Sequence, residues 1–184
     1  MNLAGRVLGI EGKKTTTLLL GYLEKPDLDS ILASPNEKTH QGRRDHTLLL
    51  FLARTGARVS EAIGVNVSDI ILHSPTHVRL CGKGAKERAV PLVKDVVAAV
   101  NALIQERGIA AQPEAAVFVN SRKQRLSRFG VTHILRRAVT AAVKAKPSLG
   151  TKTISPHTLR HYSAFRTITE LYNSTLVLLR VFHA

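Results

Sequence analysis

Residues 43–61 read RRDHTLLLFLARTGARVSE. From about Arg43 to Thr55 the run through Leu48, Leu49, Leu50, Phe51 and Leu52 predicts a buried helix. Gly56 closes it, because glycine accepts the left-handed conformation that ends helices. Ser60-Glu61 falls early in the next helix, which runs to Ile63. Arg58 therefore stands where a helix begins. Backbone amides there attract anions, and a guanidinium adds a fork of donors. Glu61, one turn later, can fix that guanidinium from behind. Taken alone, such an Arg–Glu pair is also common on ordinary helix surfaces.

Working outward, residues 1–24 carry weak patterning and read as a linker or remnant. Pro26-Asp27 opens a short helix with Leu28, Ile31 and Leu32 apolar, and Ser34-Pro35-Asn36 ends it. On the other side, strands are predicted at Ser68–Leu72, Val78–Cys81 and Arg88–Leu92, with a glycine-flanked tip at 82–86. Pro91 marks an edge strand or a strand end. A helix over Asp95–Arg107 is stopped by Gly108, and Val117-Phe118-Val119 reads as a brief strand. Ser127 caps a helix running to about Ala145. Ser155 and Pro156 open a final one. The expected architecture is mainly α with a small antiparallel β-sheet, in one domain from residue 25 to 184.

The chain has 184 residues, of which 44% are hydrophobic, enough for a packed core and against wholesale disorder. Lys plus Arg number 27 against 13 acids, a formal charge of +14. That excess predicts a polyanionic partner. No apolar stretch is long enough to span a bilayer, and the N-terminus lacks the apolar core of a secretory signal. The single cysteine, Cys81, forms no internal disulfide, so a reducing, cytoplasmic setting without membrane contact is expected. The charge is uneven. Between Arg122 and Arg166 there are eleven Lys or Arg and no acid. Val131, Ile134, Leu135, Ala138, Val139, Ala142 and Val143 recur there at helical spacing, which turns Arg136, Arg137 and Lys144 outward.

Two more segments carry chemistry. In Gly82-Lys83-Gly84-Ala85-Lys86-Glu87-Arg88, glycines on both sides leave the Lys83 ammonium uncrowded. In Ser155-Pro156-His157-Thr158-Leu159-Arg160-His161, His157 and Arg160 share a face at the positive end of a helix. His157 and His161 also share a face but lack a carboxylate or thiolate partner. Pro75 separates His73 from His77, and Gly12-Lys13 lacks the rest of a phosphate loop. No metal and no cofactor are expected.

In this order, the motifs TGARVSE at 55–61, GKGAKER at 82–88 and HTLRH at 157–161 resemble those of the tyrosine recombinase, or phage integrase, family. The resemblance covers the catalytic domain and implies its fold, double-stranded DNA as partner, further recombinase protomers, and DNA strand exchange. It implies that Arg58 and Arg160 clamp a scissile phosphate and that Lys83 protonates the leaving 5′ oxygen. His157 would assist, and Glu61 would stand behind Arg58. A tyrosine hydroxyl would attack the phosphate. Lys86, Arg88, Arg122, Lys123, Arg125, Arg128, Arg136 and Arg137 are expected on the DNA.

The sequence departs from the family near its end. The family's nucleophile lies farther beyond the H-x-x-R arginine than Tyr162 or Tyr172, and only residues 161–184 follow Arg160. His183 falls where the family carries a histidine, but among unfamiliar neighbours. The expectation is a mobile-element integrase truncated at both ends, its fold incomplete at the C-terminus and inactive alone. A non-catalytic module that occupies recombination sites or pairs with intact recombinases is the alternative. A basic RNA-binding protein is a third.

Overall fold

The computed structural model describes residues 23–166, apart from Lys83 and Ala85. The linker expected over 1–24 thus lies almost wholly outside the described residues, as do Lys83, Tyr172 and His183. The helices begin with α1 (Lys25–Leu32), α2 (His40–Thr55) and α3 (Val59–Gly64). Strands β1 (Ile70–Ile71), β2 (His77–Cys81) and β3 (Glu87–Pro91) follow, then α4 (Lys94–Glu106) and α5 (Arg128–Val143). Residues 156–166 are helical and form α6. The fold is mainly α with one small antiparallel sheet. Among the described residues, no helix is long and apolar enough to cross a membrane.

The leucine run decides the centre. Leu48, Leu49, Leu50, Phe51 and Leu52 of α2 are all buried, so this stretch of the helix is covered on every side. It begins at His40, three residues before the sequence suggests, because the Thr39 hydroxyl accepts the Gly42 amide and caps the first turn. Helix α4 packs on α2, and α1 packs on α5. In α5, Ser127 caps the helix by accepting the Gly130 amide. The expected stripe is inside: Val131, Ile134, Leu135, Ala138 and Ala142 are buried, while Arg136, Arg137 and Lys144 are exposed.

The sheet has the order β1-β2-β3, all antiparallel. Val78 and Leu80 of the middle strand are fully buried. Pro91 ends β3, an edge strand, as its missing amide requires. The first strand is shorter than expected because Val67–Asp69 forms a 3-10 turn.

The expected strand at 117–119 is not one. Only isolated bridges form there, Asn66 with Ala116 and Val119 with Arg125. Side chains take the acceptors a strand partner would use. Arg107 Nη1 donates to the carbonyls of Ala116 and Val117, each at 2.7 Å, and Arg44 Nη1 donates to that of Val119. The segment still serves the core, with Phe118 edge-on to Phe51 at 5.5 Å between ring centres.

Asp27 ties α1 to the segment that follows α5. Its buried carboxylate meets Lys146 Nζ at 2.7 Å and Lys152 Nζ at 2.5 Å, and accepts the Glu24 amide at 3.0 Å. Burial alone would raise its pKa. The two ammonium groups and the amide outweigh that and hold it at about 2, below the ordinary 3.8. Stability from a depressed carboxylate is present above its ordinary pKa and lost as pH falls through the folded value. Asp27→Asn is expected to lose about 2 kcal/mol near neutral pH. In urea titrations its unfolding free energy should also fall less steeply than that of the parent chain between about pH 4 and pH 2.

Candidate active site

The turn between α2 and α3 anchors the site. Gly56 caps α2 with φ +60°, and Arg58 starts α3 from an extended conformation. Glu61 lies one turn on, with only 1% of its side chain exposed. Its carboxylate accepts the Arg58 amide at 2.7 Å and Arg58 Nη1 at 3.0 Å. It also accepts Arg88 Nη1 at 2.7 Å and Nη2 at 2.8 Å, a two-pronged contact from β3. Burial pushes the Glu61 pKa up, but the bonds from Arg88 and Arg58 outweigh this and hold it at about 2. The bond to Glu61 correspondingly raises the pKa of Arg88. The carboxylate is therefore an anion at any working pH, as expected of a group behind Arg58.

The hairpin tip comes to the same place. A Cβ added at Gly82 would lie 3.3 Å from Glu61 Oε1, so this residue packs directly on the carboxylate. Lys83 itself lies outside the described residues. An open cleft of about 680 Å³ is lined by Arg58, Val59, Ser60, Cys81, Gly82 and Arg128. The Arg58 side chain is 58% exposed there even while Nη1 holds Glu61. Arg128, expected on DNA, joins it from the first turn of α5.

Helix α6 docks against the same turn. Arg160 Nη1 donates to the Gly56 carbonyl, two residues before Arg58. Ser163 Oγ reaches the Arg54 carbonyl at 3.4 Å. Ser155 and Thr158 cap α6 reciprocally, as the sequence predicts. His157 is exposed, with its ring edge-on to His161 at 4.3 Å between centres. Tyr162 is half-buried and packs against the core. The three motifs thus converge on one turn.

Several cations expected on DNA have internal partners instead. Arg88 holds Glu61. Arg125 donates to the Ile63 carbonyl at 2.7 Å and to Asn66 Oδ1 at 2.6 Å, docking its loop on the end of α3. Arg137 reaches buried Asp45 at 3.2 Å, although its side chain is 60% exposed. Lys86, Arg122, Lys123, Arg128 and Arg136 are exposed. Arg122 and Lys123 sit on a tight turn whose backbone amides bond Asn120 Oδ1, with Lys123 at φ 61°. His133, Arg136, Arg137, Thr140, Ala141 and Lys144 line a second, smaller groove along α5. The sequence reasoning missed Arg44 and Asp45. Their bond at 2.6 Å is buried, and burial pushes the Asp45 pKa up in spite of both guanidiniums. Asp45 stands among Arg43, Arg44, His46 and Thr47, so its local sequence gives no sign of burial.

The sequence model described as the phage integrase family matches residues 21–178. The chain is 47% identical over 174 residues to a protein of Sinorhizobium fredii named as an integrase/recombinase, covering 94% of this chain and 62% of that one. It is 36% identical over 140 residues to tyrosine recombinase XerC of Pelobacter propionicus, covering 76% of this chain and 44% of the relative. The fold matches the crystal structure of XerA recombinase with a TM-score of 0.67 and 22% identity, over 80% of this chain and 50% of that one. It matches XerH recombinase bound to a palindromic difH substrate after cleavage with a TM-score of 0.67 and 22% identity, over 83% and 43%. The chain spans less than two thirds of each.

Gly56 tests the docking of α6. A Cβ there would meet Ser163 Oγ at 3.0 Å in a backbone conformation that alanine adopts poorly. Gly56→Ala is expected to cost about 1–2 kcal/mol in urea unfolding, and Ser163→Ala on top of it should return part of that loss.

Proposed function

The chain belongs to the phage integrase family, and on that premise we propose that it is the phosphate-gripping catalytic domain of a site-specific DNA recombinase. The convergence of Arg58, the hairpin tip and Arg160 on one turn is the observation that supports this most directly. Arg58 and Arg160 hold the non-bridging oxygens of a scissile phosphate, where phosphoryl transfer concentrates negative charge. Preformed cations need no reorganisation as that charge grows. Glu61, anionic and buried, keeps Arg58 oriented without competing for the whole guanidinium. Lys83 protonates the leaving 5′ oxygen. His157 assists proton transfer at the same phosphate. His183 enters only by its distance in sequence from Arg160.

A tyrosine hydroxyl attacks the phosphorus and displaces the 5′ oxygen, leaving a 3′-phosphotyrosyl link. Tyr162 packs against the core, so Tyr172 is the residue to test. Exposed Lys86, Arg122, Lys123, Arg128 and Arg136 supply contacts to the duplex backbone. Arg137 adds a contact while it stays tied to Asp45. Exchange joins ends from two duplexes, so further protomers take part, and the setting is cytoplasmic.

Duplexes selected from a random pool provide the probe. They should outcompete single-stranded RNA and shield Cys81, the only cysteine and a cleft residue, from maleimide. Preference for RNA, or an unshielded Cys81, overturns the proposal. A protein–DNA adduct on nicked duplex that survives denaturation assigns cleavage to this chain, and its loss in Tyr172→Phe names the nucleophile. Binding without an adduct leaves this chain as a DNA-binding module. Arg136→Gln should lower the slope of log affinity against log salt by about 0.9 for the phosphate it contacts, read from binding isotherms at several salt concentrations.

A further inference from the structure

We propose that Arg88 is a positioning residue: it clamps Glu61, docks the β2–β3 hairpin on α3 and holds Arg58 toward the cleft, without touching DNA itself. This rests on the reading above, in which Arg58 and the hairpin tip act on one phosphate. The strand register explains the direction of the side chain. Arg88 pairs with Leu80 across the sheet, and cross-strand partners share a face. Leu80 is fully buried, so Arg88 points inward, while its neighbours Glu87 and Ala89 are exposed.

At the end of that inward path lies the Glu61 carboxylate, met by both Arg88 Nη nitrogens at 2.7 and 2.8 Å. The same two oxygens bond Arg58, so one carboxylate joins α3 to the hairpin. Gly82 packs on it, and the Gly82 amide donates to the Lys86 carbonyl at 2.9 Å, closing the tip that carries Lys83. Were Arg88 to leave for a phosphate, Glu61 would keep only Arg58, whose side chain is more than half exposed. A buried carboxylate stripped of a partner is strongly disfavoured. The planar fork also explains the residue type. A lysine ammonium at this position supplies a point charge and cannot span both oxygens.

The test uses the whole chain and three measurements. In Arg88→Lys, hydrogen exchange at the Gly82 amide should quicken about tenfold or more while the Leu49 amide in α2 keeps its rate, a local loosening and not global unfolding. In Arg88→Gln, the salt dependence of binding to an arbitrary-sequence duplex should keep the parent slope, because no phosphate contact is lost. If the parent chain forms the covalent adduct, its rate at saturating duplex should fall about tenfold or more in Arg88→Lys. The dissociation constant should change less than about threefold, a split that loss of stability alone does not produce below the melting range. A slope lowered by about one unit in Arg88→Gln overturns the proposal, since Arg88 would then contact a phosphate. Unchanged Gly82 exchange in Arg88→Lys overturns it too, and that measurement decides alone if Arg88→Gln does not fold. The exchange and salt measurements need no strand cleavage, so they judge Arg88 even if the recombinase reading fails.

Discussion

A carboxylate buried at 1% side-chain exposure must be paired, and Glu61 is paired by two arginines from different elements. That constraint organises the site. Arg58 comes from the start of α3 and Arg88 from β3, so the hairpin and the α2–α3 turn become one unit. The hairpin closes on the carboxylate through Gly82, and α6 reaches the same turn through the Gly56 carbonyl. Because Glu61 remains ionised far below neutral pH, the arrangement does not loosen over the range in which a cell works.

The same logic governs the charge of the whole chain. Its acids are few, and three of them, Asp27, Asp45 and Glu61, are buried among cations. Each joins parts distant in sequence: Asp27 holds the loop after α5, Asp45 holds Arg137 of α5, and Glu61 holds β3. Arginines accordingly divide into two groups. Arg44, Arg107 and Arg125 satisfy backbone acceptors and fix loops, and Arg88 ties β3 to α3. Arg58, Arg122, Arg128 and Arg136 face outward. The net charge of +14 therefore overstates the number of free surface cations.

Much of this was legible in the sequence because it depends on local pattern. Ser127 and Ser155 cap the helices they were expected to cap, since a hydroxyl next to free amides acts within one turn. The α5 stripe and its outward cations follow from a period that one helix imposes. Pro91 sits at an edge because it has no amide to donate. Where the pattern failed, a partner distant in sequence had replaced a local one. Val117–Val119 is apolar, as a buried strand is, but the chain bends there and the side chains of Arg107 and Arg44 bond carbonyls of the segment. The stretch from Arg122 to Arg166 holds no acid of its own, yet Lys146, Lys152 and Arg137 found Asp27 and Asp45 in the first half of the chain.

The sequence by itself determined the helical class, the small sheet and the three motifs, because periodicity, caps and turn residues act over a few positions. It also set the net charge of +14, which favours a polyanionic partner, because charge adds up regardless of fold. Only the tertiary structure decided which cation does what. Arg88 and Arg58 are alike on paper; one is turned inward by its pairing with Leu80 and the other outward by its place at a helix start. That difference is set by strand register and burial, which depend on contacts between residues far apart in the chain.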